Sequence, residues 1–186
     1  MAIAVAAGCK KQKRRGADPT ASRAPGPREP TPAELPPCQG NDCLPDLALD
    51  GHDGSHIETA ALRGKVVVVV VCAVWAGPCG PMAKTLSEVQ ERHQGRGLTS
   101  VMLMINEGLV DDLERWGRLH ATTVPMVPAD EALLKRFGRV SVVPTALLYG
   151  RDGHLILFKT ATEDDLWEAV RRALDAPFVG PGAATR

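Results

Sequence analysis

The chain has 186 residues, enough for one ordinary domain with a tail and short for two. Its 22 basic residues balance 22 acidic ones, so no global charge points to nucleic acid or an acidic ligand. The balance is uneven: between residues 10 and 34, Lys10, Lys11, Lys13, Arg14, Arg15, Arg23 and Arg28 face only Asp18, Glu29 and Glu34, which makes that segment basic and the remainder mildly acidic.

The chain opens with "MAIAVAAGCKKQKRR", in which small and apolar residues lead to Ala6-Ala7-Gly8-Cys9. This resembles a bacterial lipobox, whose cysteine is lipidated and becomes the mature N-terminus. The apolar part is short, Leu is missing from the usual position, and the basic cluster follows Cys9 rather than preceding it. Two readings stand: a lipoprotein tethered through Cys9 whose start lies upstream of Met1, or a cytosolic chain with a basic tail. The first is preferred, which places the protein in the cell envelope facing the periplasm. The Val66–Val71 run falls far below the roughly 20 apolar residues a membrane-crossing helix needs.

Residues 10–37 are rich in Pro, Arg, Ala and Gly and lack apolar periodicity, which predicts a disordered or polyproline-like linker. No aromatic residues interleave its charges, so a nucleic-acid arm is disfavoured. A single domain is expected over residues 38–178, with a fraying tail over 179–186. "LPDLALDGHDG" reads as a strand and a Gly/Asp turn, and "KVVVVVVC" as a strand buried on both faces. Met82, Leu86 and Val89 then recur at helical spacing until Gly95 and Gly97. "LTSVMLMIN" is a second central strand; Leu109, Leu113 and Trp116 form a helical stripe, and Ala132, Leu133 and Phe137 a short helix stopped by Gly138. "TALLY" and "HLILFK" flank "GRDG" as a hairpin. Thr162 with Asp165 starts a last helix that buries Leu166, Ala169, Val170, Ala173 and Leu174. The order implies an α/β fold, a central mixed sheet with flanking helices.

Residues 44–174 resemble the thioredoxin superfamily, in particular its TlpA-like branch of exported thiol-disulfide oxidoreductases. "LRGKVVVVVVCAVWAGPC" is similar to that branch's entry to the redox turn, "SVVPTALLYGRDGHLI" to its later strand and hairpin, and "LALDGHDG" to its opening. The resemblance implies a thioredoxin-like fold and a groove for a protein or peptide client formed by Trp75, Gly77, Pro78, Val143 and Pro144. It also implies that Pro144 is cis, in preference to a trans proline opening a strand, and that Val143 pairs its backbone with the client.

By the same resemblance Ala76 stands where the attacking cysteine belongs, and Cys79 at the resolving position. Thiol-disulfide exchange needs both an attacking thiolate and a resolving thiol, so the two-cysteine cycle is lost or altered. Cys72 reads as a small buried hydrophobe. Cys38 and Cys43 are close enough in sequence for a local disulfide in an oxidising compartment, closing a ring worth only about 2 kcal/mol. His52 and His56 match no zinc spacing, so neither a metal nor another cofactor is expected. Three functions remain: an altered thiol oxidoreductase using Cys79 alone or paired with Cys38 or Cys43, a client-binding module without electron transfer, and a structural spacer, in each case as a monomer.

Overall fold

The computed structural model describes residue 35 and residues 37–105, 110–138, 140–159 and 162–177. Cys9, the linker up to residue 34, Leu109 and the tail from residue 178 lie outside the described residues.

The valine run forms the middle of the molecule. Strand β3 (Val66–Ala73) is buried at all eight positions, as its unbroken β-branched sequence demands. It runs parallel to β4 (Leu98–Ile105) and antiparallel to β6 (Thr145–Tyr149). With β5 (Met126–Pro128) and β7 (Leu155–Lys159) at the edges, the sheet has the order β5-β4-β3-β6-β7. The hairpin expected around "GRDG" is therefore β6–β7, with Gly153 at φ +83° in its turn.

Side chains alternate between the two faces of a strand, and here the alternation separates two cores. Val66, Val68, Val70 and Cys72 face α1 (Cys79–His93), α2 (Val110–Leu119) and α4 (Glu163–Asp175), meeting Leu86, Leu113 and Leu166. Val67, Val69 and Val71 face the opposite side with Leu49, Phe137 and Tyr149. Each fully buried valine contributes about 1.5–3 kcal/mol of transfer free energy, so this strand anchors both layers.

The helix boundaries follow local chemistry. Helix α1 ends before Gly97, whose φ of +83° suits glycine. The short α3 (Glu131–Arg136) begins where Asp130 Oδ1 accepts from Leu133 N–H at 2.7 Å. Helix α4 begins where Thr162 Oγ1 accepts from Asp165 N–H, and it buries Leu166, Val170, Ala173 and Leu174, whereas Ala169 is only half-buried.

Two strands go beyond the sequence expectation. The opening strand β1 (Ala48–Asp50) pairs with β2 (His56–Glu58) in a separate two-stranded sheet rather than joining the main one. β2 and β5 have three residues each, too short for a periodic signal. Pro128 also argues against a strand except at a sheet edge, which is where β5 lies. Leu35, inside the expected linker, is buried, with its side chain beside Gly64.

Candidate functional site: the Trp75–Cys79 turn and its cleft

The carboxyl end of β3 and the first turn of α1 build the site. Between them, Ala76 N–H donates to Ala73 O at 3.1 Å and Cys79 N–H donates to Ala76 O at 2.9 Å, which folds Val74–Pro78 into a tight turn. Trp75 is 64 % exposed, Gly77 and Pro78 are exposed, and Ala76 is half-buried with its methyl against the core. Cys79 opens α1 fully buried, and its Sγ accepts from Ala73 N–H at 3.4 Å.

The sulfur of Cys79 is joined to that of Cys72 in a disulfide, with the two Cα atoms 5.7 Å apart. This corrects the expectation that Cys72 is a small core hydrophobe. Cys72 is buried as expected, but strand parity turns it to the face α1 covers, directly toward the first residue of that helix. Cysteine spacing alone hides this pair, because the residues belong to different elements; the even-numbered β3 positions, read together with the α1 stripe, are the signal that exposes it.

A cleft of 610 Å³ lies beside the turn, lined by Pro78, Pro81, Met82, Val143, Pro144 and residues 162–164. The structure thus brings Pro78, Val143 and Pro144 together, whereas Trp75 and Gly77 are not among the lining residues. The Val143–Pro144 peptide bond is cis. The β3–β6 ladder ends at the Val71–Thr145 pair, so half-buried Val143 lies beyond the last paired residue, next to Val142, which is 54 % exposed. Glu163 and Asp164 give the far wall negative charge, and Glu163 Oε2 accepts from Thr85 Oγ1 at 2.8 Å. Sequence reasoning missed this acidic wall because α4 begins 84 positions after Cys79.

A further residue it missed supports the turn from behind. The His120 ring packs against Trp116, tilted by 52° with the ring centroids 4.4 Å apart, and covers Gly80, where an added Cβ would lie 2.5 Å from the ring. A side chain at the position after Cys79 would therefore force the His120 ring to shift.

Cys38 and Cys43 form a second disulfide, with Cα atoms 5.8 Å apart. They lie at the other end of the sheet, where Cys43 pairs with His154 in the β6–β7 turn. His52 Nδ1 donates to Met126 O at 3.2 Å, tying the β1–β2 turn to β5. His56 contacts Asp50 at 2.7 Å and Glu58 at 2.9 Å; hydrogen bonds first to Asp50 and then to Glu58 raise its pKa above 6.5. Among the described residues, no helix is long and apolar enough to cross a membrane.

Solved structures share this architecture. A thiol:disulfide interchange protein of the thioredoxin family from Chlorobium tepidum is 22% identical, with a TM-score of 0.64 over 71% of this chain and 95% of its own. A secreted disulfide oxidoreductase from Mycobacterium tuberculosis is 20% identical, with a TM-score of 0.60 over 68% and 96%. The thioredoxin domain of a Bacteroides vulgatus thiol-disulfide oxidoreductase is 15% identical, with a TM-score of 0.63 over 74% and 99%. At these identities the likeness shows the thioredoxin-like fold. No curated protein matches the sequence. The Redoxin family matches residues 39–167, more than half of the chain, and with the fold just described the protein belongs to the redoxin family.

Proposed function

We propose that this protein is a thioredoxin-fold module that captures an extended segment of a client protein in the Val143–Pro144 cleft without exchanging disulfides at the Trp75–Cys79 turn. One observation carries the proposal: the turn offers Ala76 where the exchange needs an attacking thiolate, while Cys79 is fully buried and already bonded to Cys72. An external disulfide has no thiolate to meet there. Three features support client capture: Val143 lies beyond the ladder, Pro78 and Met82 offer apolar contact, and Glu163 and Asp164 would favour a client with basic residues flanking an apolar one.

We further propose that the protein works as a monomer in the cell envelope, tethered through Cys9. Two disulfides within one small domain suit an oxidising compartment. Mass spectrometry of the protein from its native cell would detect the lipid on Cys9, and an unmodified Cys9 would refute the tether.

A two-part experiment tests the central function. Titration of an unfolded, basic-apolar peptide into isotope-labelled protein should shift the amide signals of Met82, Val143 and Glu163, and the wild type should leave insulin disulfides unreduced. Capture should persist in Cys72→Ala/Cys79→Ala. Insulin reduction by the wild type that disappears in this double variant would overturn the proposal in favour of an altered oxidoreductase. Absence of any peptide-induced shift would overturn the binding role.

A further inference from the structure

The Cys38–Cys43 disulfide lies against His154, and one atom from each of these three residues falls within 4.8 Å of the other two. The arrangement is held by backbone. Leu44 N–H donates to Gly153 O at 2.9 Å and Leu155 N–H donates to Asp42 O at 2.7 Å, docking the cysteine loop onto the β6–β7 turn with Cys43 opposite His154. Gly153 allows the approach, because a Cβ there would lie 3.2 Å from that of Cys38. Asp152 Oδ2 lies 3.3 Å from His154 Nδ1, a carboxylate placed to orient the imidazole. An open cleft lined by Cys38, Cys43 and Asp152 gives solutes a path to the sulfurs.

We propose that reduction of the Cys38–Cys43 disulfide creates a binding site for one thiophilic d10 cation, Zn²⁺ or Cu⁺, held by the two thiolates and the His154 imidazole. Two sulfurs and one nitrogen are the donor set such ions prefer over hard cations, and three protein ligands leave one position for a small ligand. A small dithiol supplies the reduction: its two thiols become a disulfide, the Cys38–Cys43 bond takes up two electrons and two protons, and both protons leave as the cation binds. Oxidation ties up both sulfur donors, so the same loop alternates between disulfide and metal site. The proposal is independent of client capture at the opposite end of β3. It also revises the expectation of no metal: His154 is 111 positions from Cys43, and only the hairpin brings it near.

The test uses the full chain carrying Cys9→Ser, reduced with dithiothreitol and desalted without oxygen, with Zn²⁺ and Cu⁺ titrated separately against competing chelators. The reduced protein should bind one equivalent of at least one of these ions, and the oxidised protein none. His154→Ala should weaken binding at least about tenfold, since even changes behind the ligands weaken metal sites by 10–100-fold. Co²⁺ bound to the reduced protein should show thiolate charge-transfer absorption that Cys38→Ser diminishes. Failure of the reduced protein to retain either ion, or equal affinity in His154→Ala, would overturn the site. The charge-transfer band persisting unchanged in Cys38→Ser would do the same.

Discussion

At the scale of single residues, the proposed function turns on position 76. Replacing Ala76 by cysteine puts a half-exposed sulfur at the turn, but Cys79 remains engaged with Cys72. Insulin reduction should therefore stay near background in Ala76→Cys and rise in Ala76→Cys/Cys72→Val, where Cys79 is free to resolve. Activity in the single variant equal to that of the double would contradict the role given to Cys72. His56 makes a separate prediction. Its pKa is raised by Asp50 and Glu58, so its stabilising contribution is complete below 6.5 and is lost as pH rises through the raised value. Thermal melts of wild type and His56→Gln across this range should converge at high pH, and a gap that widens instead would refute the ion cluster. The charged triplet was invisible beforehand because Asp50, His56 and Glu58 face one another only through the unexpected β1–β2 pairing.

At the scale of elements, the first turn of α1 is fixed by what lies on it. Gly80→Ala should cost about 1–3 kcal/mol in chemical denaturation, because the new methyl meets the His120 ring. In a His120→Ala background the same change should become neutral or stabilising by up to about 1 kcal/mol, since alanine favours helix over glycine. An equal cost in both backgrounds would exclude the ring as its cause. At α4, Thr162→Ala should cost about 0.5–2 kcal/mol through loss of the cap, and should also alter the cleft wall that starts there. The long elements were legible in the sequence because their apolar periods run for two turns or more, as with Met82, Leu86 and Val89. The cleft was half legible: Pro78, Val143 and Pro144 follow from family resemblance, but Met82, Glu163 and His120 reach the site only through helix packing.

At the scale of the whole molecule, one strand carries both cores. Truncating Leu148, fully buried on β6 opposite Val68, to alanine should cost about 2–5 kcal/mol, measured as a lower denaturation midpoint. Removing the internal bridge with Cys72→Ala/Cys79→Ala should cost about 2–3 kcal/mol, the loop-closure value for so short a ring. The fold class was readable because β-branched runs, turn residues and helix stripes agree with one another along the chain. The disulfide partner of Cys79 was not, because the six intervening residues span a strand end, a turn and a helix start. The central claim is that the site keeps its recognition surface and has closed its thiol chemistry. Differential alkylation of the native protein after mild dithiol treatment, followed by peptide mass spectrometry, tests it most directly. Cys38 and Cys43 should be labelled while Cys72 and Cys79 stay protected until the protein is denatured. Rapid labelling of Cys79 in the folded state would contradict the account.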